Sequence, residues 1–323
     1  MPILLMLALL APADAPANPV LAQPIACVIG KDCEIQNYVD RDPGPGAVDY
    51  RCGSRTYDAH TGVDFRIRDM AAQRAGVAVL AAADGKVLRV RDGVADVSVK
   101  QTGPGAVKGQ ECGNGLVVEH VSGLSTQYCH MAKGSIMVKP GAMVKTGDKL
   151  GLVGLSGNTE YPHLHLTVRH GATVVDPFAP DAGAGAGHCG AGPDLWRSDA
   201  HAAFAYRAGA VLNAGFAAGP IDMATVEAGD IPSPNASASA LIAYVRAIGL
   251  KAGDQQSLTI TAPDGKILAQ GGGDPLPRDQ AQRLLYVGKP RSALGWPKGR
   301  YVATYRVLRA GKVALERRWD LGL

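Results

Sequence analysis

A short stretch near the middle of the chain, EYPHLHLTVR at residues 160–169, constrains the fold more than any other. Side chains alternate between the two faces of an extended strand, so His163 and His165 share one face while Leu164 and Leu166 share the other. The stretch therefore predicts a strand that buries leucines on one side and presents two imidazoles together on the other. A His-x-His pair is a weak indication of a metal site by itself, so further ligands must come from elsewhere in the chain.

Candidate partners lie far upstream, in the segment DAHTGVDFRI. His60 and Asp64 have a spacing that would share one helix face, but Gly62, Val63 and Phe65 favour an irregular turn that runs into a strand. Two histidines and one aspartate give a zinc ion three protein ligands and leave a fourth position open for water. That composition is typical of a catalytic zinc site and not of a closed structural one.

Short β-rich runs recur from Val77 onward, separated by glycine, aspartate and asparagine: VAVLAAADGKVLRV, ADVSVK, NGLVVEHV, LSTQYCHM and KLGLVG. No helical apolar stripe of adequate length intervenes, so the spacing predicts an antiparallel all-β fold. Residues 195–323 also alternate apolar and polar side chains between turn signals, which predicts a smaller β-sandwich-like domain. Within that domain, the segment ALIAYVRAIGL is compatible with a strand or a short helix.

The His-x-x-x-Asp motif, the Gly-rich β pattern and the downstream His-x-His motif together resemble the lysostaphin-type zinc endopeptidases of bacterial cell walls. The resemblance covers roughly residues 57–179. It implies a β-roll catalytic domain with a duplicated hybrid motif, in which the strands floor an open groove. It also implies that His60, Asp64 and His165 are the zinc ligands and that His163 and His130, the latter in TQYCHM, are catalytic histidines.

The chain departs from the pattern of this family beside the His-x-His motif. Asn158–Pro162 replaces the common Thr-Gly-Pro approach, and Leu166-Thr167 replaces the usual Phe-Glu. We expect these positions to border the groove and to affect which bond is cleaved. The long insertion at residues 92–113 is expected to form a wall or lid. Two other histidines are expected to be structural or exposed: His120 in a turn or packed, and His170 exposed.

The N-terminus is expected to be a secretory signal peptide over residues 1–22. An apolar run at residues 3–10 is too short to span a bilayer, and Val20-Leu21-Ala22 places small residues before a cut ahead of Gln23. The mature protein would then lie in the periplasm, in the cell envelope or outside the cell, with no transmembrane helix. Such compartments are oxidising.

Six cysteines are expected to form disulfides in that compartment, and none has the Cys-x-x-Cys spacing of a cysteine zinc site. Six cysteines allow fifteen pairings. The preferred pairs are Cys27 with Cys33, Cys112 with Cys129 across neighbouring strands, and, by elimination, Cys52 with Cys189.

These features divide the chain into five expected regions: a signal peptide at 1–22, a disulfide-stapled segment at 23–56, the zinc endopeptidase domain at 57–180, a Gly/Ala-rich linker at 181–194 and the second β domain at 195–323. Residues 202–323 contain 15 Lys and Arg against 9 Asp and Glu. This excess of positive charge could attract an anionic wall polymer, although solvated strand faces would explain it equally well. No nucleic-acid motif accompanies the charge, so no nucleic-acid partner is expected.

The sequence thus predicts a zinc metalloendopeptidase acting on peptidoglycan peptide stems or cross-bridges. One alternative is a non-catalytic envelope protein that binds peptidoglycan or activates a separate wall hydrolase. A further alternative is a secreted peptidase acting on Gly-rich protein. The sequence leaves open the cleaved bond, the oligomeric state and the division of acid and base roles between His130 and His163.

Overall fold

The structure is a computed structural model that describes residues 19–181, 190 and 192–323. Its strands are β1 (Cys33–Asn37), β2 (Val63–Ile67), β3 (Ala78–Leu80), β4 (Gly85–Arg91), β5 (Asn114–Glu119), β6 (Leu124–Met131), β7 (Met143–Val144), β8 (Lys149–Leu152), β9 (His163–His170), β10 (Thr173–Val175), β11 (Ala210–Ala217), β12 (Ala240–Leu250), β13 (Gln255–Thr261), β14 (Ile267–Pro275), β15 (Gln280–Pro290), β16 (Arg300–Arg309) and β17 (Lys312–Gly322). The helices are short: α1 (Met70–Ala75), α2 (Val99–Thr102), α3 (His201–Phe204) and α4 (Met223–Ala228), with 3₁₀ turns at Pro104–Val107 and Val121–Gly123. The predicted all-β fold class is confirmed.

The first half of the chain forms a large antiparallel sheet in the order β1-β2-β9-β6-β5-β4-β7, with β10 also pairing with β9. Strands β3 and β8 form a separate pair. Leu164, Leu166 and Val168 of β9 are fully buried in the core of this sheet. The alternation read from the sequence therefore leaves the histidines of β9 on the opposite face.

The second half forms two antiparallel sheets, β11-β12-β15 and β14-β13-β16-β17. Leu241 and Val245 of β12 lie in the same apolar cluster as Leu258 of β13 and Tyr301 and Tyr305 of β16. The two sheets thus share one core, as in a β-sandwich. The segment ALIAYVRAIGL is the strand β12, and its alternative as a helix is wrong.

The two apolar cores divide the chain differently from the predicted regions. Strand β1, from the predicted lead-in segment, is an edge strand of the first sheet. Leu195, Trp196 and Phe204 pack into the first core, and Tyr206 packs against it. The division into domains stays a prediction, and this packing would move its last boundary C-terminal to Tyr206.

Two of the three predicted disulfides, Cys27–Cys33 and Cys112–Cys129, are formed. Cys189, the predicted partner of Cys52, lies outside the described residues. The pair Cys52–Cys189 therefore stays a prediction.

The predicted leader falls mostly outside the described residues, but its last part does not. Leu21 is fully buried in the first core, its backbone N–H donates to the Leu195 carbonyl, and its own carbonyl accepts from Arg197 N–H. A cut ahead of Gln23 would remove this core residue, so the packing favours a cut upstream of Leu21. Among the residues from 19 onward that are described, no helix combines the length and apolar character needed to cross a bilayer.

We predict that a chain starting at Gln23 is less stable than one starting at Pro19, by about 2–5 kcal/mol, because it lacks the buried leucine side chain. Urea denaturation of the two chains measures the difference. The N-terminus of the exported protein, read by mass spectrometry, should lie before Leu21. Equal stabilities together with an N-terminus at Gln23 would contradict this expectation.

Candidate metal centre

The neighbouring strands β2, β9 and β6 bring together side chains that are far apart in sequence. In the antiparallel register, Asp64 of β2 and Cys129 of β6 both pair with His165 of β9. Directly paired residues project from the same face of a sheet. The register therefore places the Asp64 carboxylate beside the His165 ring.

His60 reaches this face from the loop that precedes β2. Ala59 has a positive φ of 61°, and the His60 N–H closes a turn onto the Tyr57 carbonyl. Gly62 permits the loop to lie against β9, because a Cβ there would stand 2.6 Å from both His165 Nε2 and the Leu166 carbonyl oxygen. The glycine in DAHTGVDFRI is thus required by this close approach.

The three donor atoms of these residues form a nearly equilateral triangle. His60 Nε2 lies 3.2 Å from Asp64 Oδ1 and 3.2 Å from His165 Nδ1, and His165 Nδ1 lies 2.9 Å from Asp64 Oδ1. Tetrahedral zinc with N and O ligands at about 2.0–2.2 Å holds its donors roughly 3.3 Å apart. The donor set and its spacing fit a zinc ion held by His60, Asp64 and His165.

The outer atoms of each candidate ligand are held by further hydrogen bonds. His60 Nδ1 donates to the Tyr38 carbonyl at 2.6 Å, and His165 Nε2 lies 2.9 Å from Thr167 Oγ1. These contacts orient the other nitrogen of each ring toward the centre, as the outer partners of metal-binding histidines do. Thr167 is one of the positions at which the sequence departs from the lysostaphin-type pattern, and it supports His165.

Asp64 has an outer partner that the sequence did not indicate. Asn37 Nδ2, on β1, donates to Asp64 Oδ2 at 2.9 Å and to Tyr161 Oη at 3.3 Å. This contact fixes the carboxylate so that Oδ1 faces the three imidazoles. No local motif marks Asn37, and only the pairing of β1 with β2 reveals it.

His163 lies on the same face as His165, as the strand alternation predicts. Its Nε2 is 3.3 Å from Asp64 Oδ1, while its Nδ1 is 3.0 Å from the Tyr161 carbonyl oxygen and 3.1 Å from Thr159 Oγ1. His163 is buried and stands at the edge of the donor triangle.

His130 reaches the centre through an irregularity in β6. The register shifts between Leu116–Tyr128 and Asn114–Met131, so Cys129 and His130 together face the single residue Gly115 in a β-bulge. His130 has a positive φ of 62°. A bulge changes the direction in which side chains project from a strand. Here Cys129 and His130 both line the cleft that His165 also lines.

The His130 ring is fixed in place by its neighbours. Its Nδ1 donates to the Ser156 carbonyl at 2.8 Å, and its backbone N–H donates to the Cys112 carbonyl. The ring centroids of His130 and His163 are 4.7 Å apart, and those of His130 and His165 are 5.8 Å apart. These three histidines form a second potential metal-binding group, which includes no carboxylate to balance the charge of a cation. The triangle with Asp64 is therefore the better zinc site.

Burial and the Asp64 carboxylate set the charges in the centre. Burial lowers the pKa of His60, but Asp64 outweighs this effect and raises it above its ordinary value. Burial would raise the pKa of Asp64, but His60, His163 and His165 hold it well below its usual range. Burial lowers the pKa of His165, and lowers that of His130 strongly. The His130 and His165 rings are therefore neutral near pH 7, each with a lone pair available.

The two histidines that were expected to lie apart from the centre do so. His120 is buried, with Nδ1 on the Asp84 carbonyl and Nε2 on Thr126 Oγ1. His170 is exposed at the end of β9.

Two clefts meet at the centre. The larger, cleft A, has a volume of about 390 Å³. Its lining includes residues from four parts of the chain: Asp64 and His163, the loop 158–161, Val99 of the predicted wall insertion, and Ala281 and Gln282 of β15.

The smaller, cleft B, has a volume of about 230 Å³ and is lined by Gln127, His165, Thr167 and Arg169, among others. His130 and Asn158 line both clefts. An extended chain lying through A and B would pass over the donor triangle.

We predict that replacing His60, Asp64 or His165 by alanine lowers zinc affinity by about 100-fold or more, because each substitution leaves only two of the three donors. His163→Ala should keep the metal. His170→Ala, at an exposed position, is the control. Zinc content after dialysis, measured by elemental analysis, distinguishes these variants, and loss of zinc in His163→Ala would make His163 a ligand.

Comparison with known proteins shows which family the segment around the centre is similar to. Residues 58–177, which include all five site residues, match the sequence model of Peptidase family M23. The chain is 36% identical over 122 residues to the peptidoglycan DD-endopeptidase ShyB of Vibrio cholerae, covering 38% of this chain and 23% of that protein. It is 30% identical over 126 residues to the DD-carboxypeptidase/endopeptidase Mpg of Neisseria meningitidis, covering 38% and 23%. The chain thus spans about a quarter of the length of these curated relatives.

Solved structures give a more limited likeness. A zinc-containing peptidase from Vibrio cholerae is 28% identical, with 46% of this chain and 39% of that chain covered and a TM-score of 0.28. The catalytic domain of lysostaphin from Staphylococcus simulans is 22% identical, with 43% and 85% covered and a TM-score of 0.28. The similarity to peptidase family M23 is thus confined to residues 58–177 of this chain, the segment that contains His60, Asp64, His130, His163 and His165.

Proposed function

We propose that this protein is a zinc metalloendopeptidase that hydrolyses peptide bonds in bacterial cell-wall peptidoglycan. The observation that carries the proposal is the donor triangle of His60 Nε2, Asp64 Oδ1 and His165 Nδ1, with sides of 2.9–3.2 Å. The match to peptidase family M23 and the names of two relatives, a peptidoglycan DD-endopeptidase and a DD-carboxypeptidase/endopeptidase, support the substrate class.

A zinc ion on these three residues would supply a Lewis acid that activates a water molecule and polarises a carbonyl group. The proton transfers of the reaction would be carried out by the two histidines beside the triangle, His130 and His163. His130 directs Nδ1 at the Ser156 carbonyl, which leaves its Nε2 for the reaction. His163 directs Nδ1 at the Tyr161 carbonyl, and its Nε2 lies 3.3 Å from Asp64 Oδ1, at the edge of the donor triangle. One ring accepts the proton of the attacking water, and the other donates to the developing oxyanion or to the leaving amine.

The alternative is a non-catalytic envelope protein that binds peptidoglycan or activates a separate hydrolase. Such a role needs neither a complete donor set nor histidines aligned beside it. Here the three donors and both histidines converge on one face. The convergence supports an enzyme, in which each group has a chemical task.

The substrate sets the proposed location. Peptidoglycan lies outside the cytoplasm, so we propose that the protein is exported to the periplasm, the cell envelope or the extracellular space. The disulfides Cys27–Cys33 and Cys112–Cys129 are compatible with an oxidising compartment.

We predict that the purified, zinc-loaded protein releases new amino termini from peptidoglycan and that a chelator stops the release. His163→Ala should retain zinc and lose about 10²–10⁴-fold in rate, because a general acid or base contributes that much. His170→Ala should cleave like the wild type. Mass spectrometry of the released fragments identifies the bond.

Two outcomes would contradict the proposal. Wild-type protein that binds peptidoglycan without cleaving it, zinc-loaded or not, would support the non-catalytic alternative. Cleavage of a Gly-rich protein with no cleavage of peptidoglycan would show that the substrate is a secreted polypeptide.

A further inference from the structure

Cleft A is walled partly by the second half of the chain. Its lining includes Asp64 and His163 from the metal centre and also Ala281 and Gln282 from β15. Strand β15 pairs with β12 in the sheet β11-β12-β15, so it belongs to the sandwich and not to the sheet that carries the metal ligands. The sandwich therefore contributes directly to the cleft in which a substrate would lie.

Polar contacts hold this wall against the first sheet. Gln36 Nε2, on β1, donates to the Ala281 carbonyl at 3.1 Å, and Arg66 Nη1, on β2, donates to Gln36 Oε1 at 3.1 Å. Just before β15, the Asp279 carboxylate accepts from Ser54 Oγ, which in turn accepts from Lys251 Nζ at 2.7 Å. The start of β15 is thus tied to the lead-in segment and to the strand of Asp64.

A buried charge cluster adds a further tie between the two halves. Glu227 Oε2, on α4, accepts from Arg66 Nη2 at 2.8 Å and also from Arg246 of β12. Both arginines are fully buried. Because β12 is the direct sheet partner of β15, this cluster fixes the position of Gln282 relative to Asp64.

Gln282 itself has an unused polar atom. Its Oε1 is buried and has no hydrogen-bond partner among the described residues. Buried side-chain oxygens in folded proteins are nearly always hydrogen-bonded. The Gln282 side chain lines cleft A, and rotation about its χ3 angle turns the amide toward the cleft. The N–H and C=O groups of a peptide main chain in the cleft would then be hydrogen-bond partners for this amide.

We propose that Gln282 is a substrate-binding residue whose side-chain amide forms a hydrogen bond with the backbone of the peptide lying in cleft A. The C-terminal sandwich is then a part of the substrate site. This inference rests on the proposed peptidase function, and it extends that function by assigning one wall of the binding cleft.

The test compares variants of the full-length, zinc-loaded protein on a soluble cross-linked peptidoglycan fragment. Gln282→Met keeps the length of the side chain and removes the amide. We expect kcat/KM to fall about tenfold, mainly through a higher KM, because a hydrogen bond to the bound substrate is lost. Gln270→Met makes the same chemical change at an exposed position of β14 and should leave kcat/KM unchanged.

Gln282→Ala serves as the second variant. It distinguishes a side chain that binds the substrate from one that only narrows the cleft. If Gln282 holds the substrate, alanine lowers kcat/KM as methionine does, with zinc content and Tm retained. If the side chain only narrows the cleft, alanine raises kcat/KM, and the inference is overturned.

The two proposals fail in different ways. An active wild type with an unchanged Gln282→Met variant overturns the inference and leaves the peptidase function standing. A wild type that cleaves no peptidoglycan fragment, although loaded with zinc, overturns the proposed function and this inference with it.

Discussion

The buried carboxylate of Asp64 is the group on which the site depends. An isolated charge at such a position would be very costly, so its surroundings must compensate for the lost hydration. His60, His163 and His165 surround Oδ1, and Asn37 donates to Oδ2. These four partners come from the loop before β2, from β9 and from β1. The charge of Asp64 therefore requires three separate segments to be folded together before the centre exists.

The register of the sheet determines where these groups lie relative to one another. The pairing of Asp64 with His165 is made by main-chain hydrogen bonds, so a slip of one residue would turn the whole histidine face of β9 into the leucine core. The buried leucines hold the register against such a slip. Burial of the apolar face of β9 thus maintains the positions of the histidines on its other face.

The bulge at His130 breaks the regular alternation of β6 beside the site. A positive φ at a residue other than glycine is uncommon and costs free energy, so surrounding contacts must hold it. The Cys112 and Ser156 carbonyls accept hydrogen bonds from the backbone and ring of His130, and the Cys112–Cys129 disulfide joins the bulge to the segment just before β5. The disulfide lines cleft B, so a bond that stabilises the fold also shapes the candidate substrate groove.

The sequence alone indicated the donor groups of the proposed metal centre. Residue type and strand alternation were sufficient to place His163 and His165 on one face and to identify His60 and Asp64 as further donors, because these signals are local. Turn residues and short apolar runs likewise determined the all-β class. His130 depended on the resemblance to a family, since nothing in TQYCHM predicts a bulge. Asn37, Thr167 as the support of His165, the burial of Leu21 and the wall formed by Gln282 were decided only by the tertiary structure. Each of these depends on which distant strand lies alongside, and pairing between segments far apart in the chain leaves no mark in the local order of residues.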